Sequence, residues 1–141
     1  MSKSKNQQGC PCGGPALETC CGPFISGERV PETAEQLMRS RYTAYVQGNE
    51  PYLLATWHRS TRPTDKIVDR NEALQWLGLE VKSALRLRQR KVTEGEDFVE
   101  FVARFRIGGK GQRLHEVSRF LREADDLGVQ RWFYVDGQFP E

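Results

Sequence analysis

The chain has 141 residues and a formal charge of +2, with 28% charged and 38% apolar residues. That balance fits one core of ordinary size plus a small appendage, and no stretch approaches the ~20 apolar residues of a membrane span. Four thiolates on a divalent ion would bring the total charge close to zero, so overall charge argues against a polyanionic partner.

Residues 1–29 are rich in Gly, Pro, Ser, Gln and Cys and lack an apolar period. They read as a small knuckle with a flexible N-terminus, and residues 30–141 as the main domain. Met1 to Gln8 carries positive charge without an apolar stretch behind it, unlike a secretory signal, so the expected location is the cytoplasm. In that reducing compartment Cys10, Cys12, Cys20 and Cys21 point to metal or redox chemistry rather than disulfide staples. Four sulfur ligands suit one closed, tetrahedral, structural zinc. The competing readings are a vicinal or short-loop disulfide and a redox pair, although neither neighbouring pair has C-x-x-C spacing.

Beyond the knuckle, Thr33 and Gln36 form a capping-box signature, and Ala34, Leu37, Met38, Tyr42 and Tyr45 follow at helical spacing until Gly48. Asn49 and Pro51 open a second predicted helix that runs to about Trp57, followed by a polar loop from His58 to Lys66. Asp69 and Glu72 make another capping pair, predicting a short helix with Ala73, Leu74, Trp76 and Leu77 that stops at Gly78. The period then falls toward two. Leu79, Val81, Leu85 and Leu87 alternate with polar residues, as do Val99, Phe101, Ala103, Phe105 and Ile107. Turns are expected at 94–96, 108–111 and 125–128, before a last strand at Trp132 to Val135. Helices first and a meander afterwards indicate an α+β fold with helices across one face of an antiparallel sheet.

Cys10-Pro11-Cys12-Gly13-Gly14 with Cys20-Cys21-Gly22-Pro23 resembles the SEC-C zinc motif of the SecA preprotein translocase and several small bacterial proteins. Seven residues separate Cys12 from Cys20, one fewer than usual in that motif. The segments Leu37 to Tyr45, Thr56-Trp57-His58, Thr61-Arg62-Pro63, Leu114-His115-Glu116 with Ser118-Arg119-Phe120, and Trp132 to Gly137 look like the YchJ family. This resemblance covers nearly the whole chain. It implies a SEC-C zinc knuckle followed by a cone-shaped domain of the nuclear-transport-factor-2-like type, and it implies no reaction, because the family is uncharacterised in function.

Arg41 shares the apolar stripe of the first long helix, and a buried guanidinium requires a partner. That partner is either an internal carboxylate, with Glu116 the candidate, or a bound ligand. His58 and His115 titrate near neutral pH and could act as bases, but lone histidines are more often structural. His115 and Glu116 are adjacent on a strand, face opposite ways and cannot form a dyad in one pocket. Arg86, Arg88, Arg90 and Lys91, with Arg104 and Arg106, could form a basic row, but nearby glutamates and the lack of interleaved aromatics favour a mixed, solvated face.

No catalytic residue is assigned. The first functional expectation is a non-enzymatic module whose knuckle docks on a protein partner. The alternative is an enzyme or small-ligand binder using the cone interior, with Arg41, Trp57, His58, Glu116 and Trp132 near the pocket. Nucleic-acid binding stands third.

Overall fold

A computed structural model describes residues 9–14, 16–64, 74–82 and 95–139. A short helix α1 (Gly22–Ser26) follows a 3-10 turn at Leu17–Thr19. The long helix α2 (Ala34–Gln47) begins at Thr33, whose side chain accepts a hydrogen bond from the Gln36 amide. Gln36 Oε1 reaches back 2.7 Å to the amide of Glu32, one residue earlier than in a standard capping box. Helix α3 (Glu50–Ala55) opens at Asn49, whose Oδ1 accepts from the Tyr52 amide, and Trp57 then makes an isolated bridge to Tyr134.

The strands β1 (Leu74–Lys82), β2 (Glu96–Ile107), β3 (Lys110–Ala124) and β4 (Gln130–Gln138) form an antiparallel meander in the order β1-β2-β3-β4. The helix predicted to end at Gly78 is corrected here: Leu74 to Leu77 belong to β1, and the capping pair Asp69/Glu72 lies outside the described residues. Pairing with β2, from Leu74 opposite Ile107 to Lys82 opposite Glu100, satisfies the backbone groups on the side of this edge strand that faces β2. Tertiary pairing therefore overrides a local helix signal, and exposure alternates over Leu74, Gln75, Trp76 and Leu77 with the strand period. Gly78 sits at a bulge. The β2–β3 hairpin turns on Gly108 and Gly109 at φ 57° and 84°, the left-handed pair that a two-residue hairpin requires.

Helix α2 lies over one sheet face, burying Ala34, Leu37 and Met38 with Val99 and Phe120. The knuckle joins the core as well: Cys10, Cys12 and Cys21 are buried with Tyr42 of α2 and Ala103 of β2. Arg104 and Arg106 are exposed, and Arg104 lies 3.8 Å from Glu80, a mixed surface of the expected kind. Leu85, Leu87, Arg86, Arg88, Arg90 and Lys91 lie outside the described residues. No described helix is long and apolar enough to cross a membrane.

Candidate functional site

A tight bend, in which the Gly13 amide donates to Cys10 O and the Cys10 amide to Gly14 O, presents Cys10 and Cys12. The 3-10 turn and the start of α1 present Cys20 and Cys21. The four sulfur atoms lie within 4.8 Å of one another and none is in a disulfide. Cys12 and Cys20 sulfurs are 3.5 Å apart and those of Cys20 and Cys21 3.9 Å. A disulfide would need ~2.05 Å, whereas a tetrahedron with ~2.3 Å metal–sulfur bonds has an edge of ~3.8 Å. A side chain at Gly14 would collide with Cys20 Sγ, so the bend passes as close to the sulfurs as a backbone can.

Crowding shapes the acidity of these thiols. Hydrogen bonding from Cys21 is the main influence holding Cys12 well below the usual thiol range. Cys20 is pushed up, mainly by burial, and Cys21 is pushed up first through its hydrogen bond to Cys12 and then by burial. Of these three thiols Cys12 is thus the one that most favours the negative charge, at the expense of Cys20 and Cys21. A cation at the centre removes that competition, and the donor set therefore fits a thiophilic metal ion. The cluster is anchored to α2, where Cys10 Sγ lies 3.5 Å from Thr43 Oγ1 and Arg39 Nη1 donates to Cys12 O at 2.8 Å.

A second feature is a cavity of about 290 Å³ between α2 and the sheet. Its walls are largely aromatic, including Tyr42, Trp76, Phe101 and Phe120, and two charged residues, Arg41 and Glu116, also line it. Arg41 is only 5% exposed. Its Nη1 donates to Leu53 O at 2.8 Å and to Thr56 Oγ1 at 2.7 Å, while the guanidinium carbon lies 4.6 Å from the Tyr134 ring centre and 5.0 Å from that of Trp57. Glu116 Oε2 accepts from Ser118 Oγ at 2.7 Å and from Tyr134 Oη at 3.3 Å. Burial raises the Glu116 carboxyl above its ordinary value, against the opposing pull of Ser118, Tyr134 and Arg41, and burial lowers Arg41. Arg41 and Glu116 make no direct salt bridge; Tyr134 touches both, through its ring and its hydroxyl.

The other anticipated pocket residues are placed differently. Trp57 supports Arg41 from behind, and its Nε1 donates to Thr61 Oγ1 at 3.1 Å. His58 lines a separate polar cleft with Arg59, Arg62, Glu123 and Phe133. Its Nδ1 accepts from the Ser60 amide at 3.1 Å and its Nε2 lies 2.9 Å from Glu123 Oε2. Trp132 packs against the α2 core, and its Nε1 donates to Glu32 O at 3.2 Å. His115 meets Glu100 Oε2 at 2.6 Å, away from Glu116, as expected of adjacent strand positions. Tyr45, Ser118 and Tyr134 were not anticipated as lining residues. Ser118 was within reach of the period-two rule, being two residues from Glu116.

These features define a class: an α+β domain of helices over a four-stranded antiparallel sheet, with a four-cysteine cluster of the kind that can hold a metal ion packed against its first long helix. The chain belongs to the YchJ family, with residues 33–137 matching the model for the YchJ middle, NTF2-like domain. It is 51% identical to a UPF0225 protein of Cupriavidus metallidurans over 133 residues, covering 94% of this chain and 89% of that one. A UPF0225 protein of Ralstonia nicotianae is 53% identical over 136 residues, covering 91% and 89% of the two chains. The solution structure of a SEC-C motif containing protein from Rhodopseudomonas palustris matches with a TM-score of 0.76 and 31% identity, over 95% of this chain and all (100%) of the other. The crystal structure of a SEC-C motif containing protein from Psychrobacter arcticus also gives a TM-score of 0.76, at 26% identity, over 95% and 84% of the chains.

Proposed function

We propose that this protein binds a small molecule in the cavity beneath α2, and that one zinc ion, held by Cys10, Cys12, Cys20 and Cys21, serves a structural role. The observation that carries the ligand reading is the presence of Arg41 and Glu116 on the wall of a cavity of about 290 Å³. Buried charges are costly unless they are paired or meet a ligand, and a concave, mostly apolar site with a few convergent polar groups is the usual form of a binding pocket. Four sulfur ligands saturate zinc and leave no position for an activated water, so the metal has no catalytic role in this reading.

Docking of a protein partner on the knuckle has less support. Cys10, Cys12 and Cys21 are buried with the core of the domain itself. The knuckle's apolar contacts are accordingly spent within the chain.

A fragment library screened by ligand-observed NMR tests the ligand reading, with Ala103→Leu as the comparison. Ala103 lines the cavity, so the larger side chain occupies part of its volume. Fragments that bind the parent are expected to lose most of their affinity for Ala103→Leu and to keep it for Arg59→Ala in the separate cleft. Binding unaffected by filling the cavity would overturn the proposal.

A further inference from the structure

We infer that the cavity selects a neutral molecule with a flat apolar body and, at one end, a hydrogen-bond acceptor beside a donor, as in a carboxamide or lactam. The inference rests on the reading of the cavity as a ligand site and adds the chemical class of its occupant.

Charge is the first argument. Arg41 and Glu116 both line the cavity, and their formal charges cancel. A charged ligand would bring an uncompensated charge into a desolvated site, whereas a purely apolar one would cover two polar groups without bonding to them. A neutral ligand with both donor and acceptor avoids either cost.

Direction is the second argument. A guanidinium can only donate, and an ionised carboxylate can only accept. Nη1 of Arg41 is occupied by Leu53 O and Thr56 Oγ1, which fixes the plane of the fork, and the Tyr45 hydroxyl, also on the cavity wall, accepts from the same guanidinium. Oε2 of Glu116 takes the Ser118 and Tyr134 hydroxyls, while Oε1 accepts no hydrogen bond among the described residues. The cavity wall thus carries a donor group, Arg41 with its Tyr45 hydroxyl, and an acceptor oxygen of Glu116, both in contact with the same Tyr134. Such a pair matches a C=O next to an N–H, and its rigidity means that little ordering is needed on binding.

The walls give the rest of the class. Tyr42 meets Trp76 edge-to-face at 5.5 Å, and Phe120 meets Tyr134 in the same manner at 5.9 Å. Rings locked in this way present faces and edges that suit a planar ring better than a branched chain.

Four probes of nearly one shape separate the possibilities: benzamide, benzoate, benzamidine and toluene, each titrated into the full-length protein at neutral pH and followed through the methyl signals of Met38 and Ala103. Benzamide is expected to bind about tenfold or more tighter than each of the others, since each leaves a buried group unpaired or a charge unmatched. Tighter or equal binding of benzoate, benzamidine or toluene would overturn the assigned class and leave the cavity reading standing. Failure of all four to bind up to their solubility limits would overturn both. Glu116→Gln should reduce the preference for benzamide over benzoate by about tenfold, and an unchanged preference would count against the inference. Ser118→Ala, which frees the carboxylate without removing it, should weaken benzamide binding as well; full affinity in that variant would also count against it.

Discussion

The carboxylate of Glu116 lies against the α-carbon of Gly137, in the space that a side chain at Gly137 would fill. Gly137 pairs with Ser118 across β3 and β4, so the same local geometry brings the Ser118 hydroxyl and the Glu116 carboxylate together. Replacing Gly137 by Ala should displace Glu116 from its hydrogen bonds and cost about 1–3 kcal/mol, the penalty for leaving buried polar groups unsatisfied. In a Glu116→Ala background the same replacement should cost far less. A double-mutant cycle by urea denaturation measures the difference, and equal costs in both backgrounds would show that the close approach is energetically idle.

Arg41 fastens the end of α3 to the sheet. It donates to Leu53 O and Thr56 Oγ1, and its plane meets the rings of Trp57 and Tyr134. Arg41→Ala should destabilise the protein by about 3–5 kcal/mol, as expected when one member of a buried charged set is removed. Arg41→Lys keeps the charge but loses the planar fork, and should fall between that variant and the parent. Thermal or chemical denaturation checks the order of the three proteins.

Burial holds the Glu116 carboxyl above its ordinary value of 4.5, so the folded chain retains this proton at a pH where the unfolded chain has released it. Protons bound by the folded state and not by the unfolded state make stability fall as pH rises. The contribution of Glu116 is therefore fully present below the ordinary glutamate value and is lost as pH climbs through the raised one. Glu116→Gln removes this titration. Its stability relative to the parent should improve as pH increases above 4.5, by at most ~1.4 kcal/mol per pH unit, and then level off. Parallel denaturation series across pH test this, and a difference that is flat or of opposite slope would contradict it.

What could be read from the chain, and what could not, follows from the range of the interactions involved. The starts of α2 and α3 were legible because Thr33 and Asn49 act within three residues of themselves, whereas α3 stops at Ala55, two residues short of the expected Trp57. Arg41 was legible as a cation on an apolar stripe, and Glu116 as an acid on an apolar strand. The strand at Leu74 to Leu77 was misread because the capping pair before it is a local signal, while its real partners, Ile107 to Phe105, are distant in sequence. Tyr134 and Gly137 were missed for the same reason: they acquire their roles only when β4 pairs with β3. Nothing in the sequence near Thr43 or Arg39 marks them as the anchors of the knuckle.

That anchoring leads to the metal prediction. Read from the sequence alone, the knuckle is an appendage, and removing its metal should disorder the segment from Cys10 to Cys21 while leaving the main domain largely folded. The structure joins the two parts. Cys10 contacts Thr43, Arg39 holds the Cys12 carbonyl, and the cysteines share a core with Tyr42 and Ala103. Both Tyr42 and Ala103 also line the cavity. Protein purified without chelator under reducing conditions is expected to carry about one zinc per chain with sulfur at ~2.3 Å. Stripping the ion leaves four clustered sulfurs without the ligand bonds that joined them, so the bend and the 3-10 turn lose the centre that holds them together. Loss should then spread along the contacts to α2: amide exchange should accelerate from Arg39 to Thr43, and the near-ultraviolet signal of the Tyr42–Trp76 pair should weaken. The β2–β3 hairpin, whose ladder of hydrogen bonds is independent of the knuckle, should keep its protection. Hydrogen exchange on metal-bound and chelated protein distinguishes the outcomes. Acceleration confined to residues 10–21 would restore the appendage picture, and protection lost equally throughout would mean that the ion supports the whole fold.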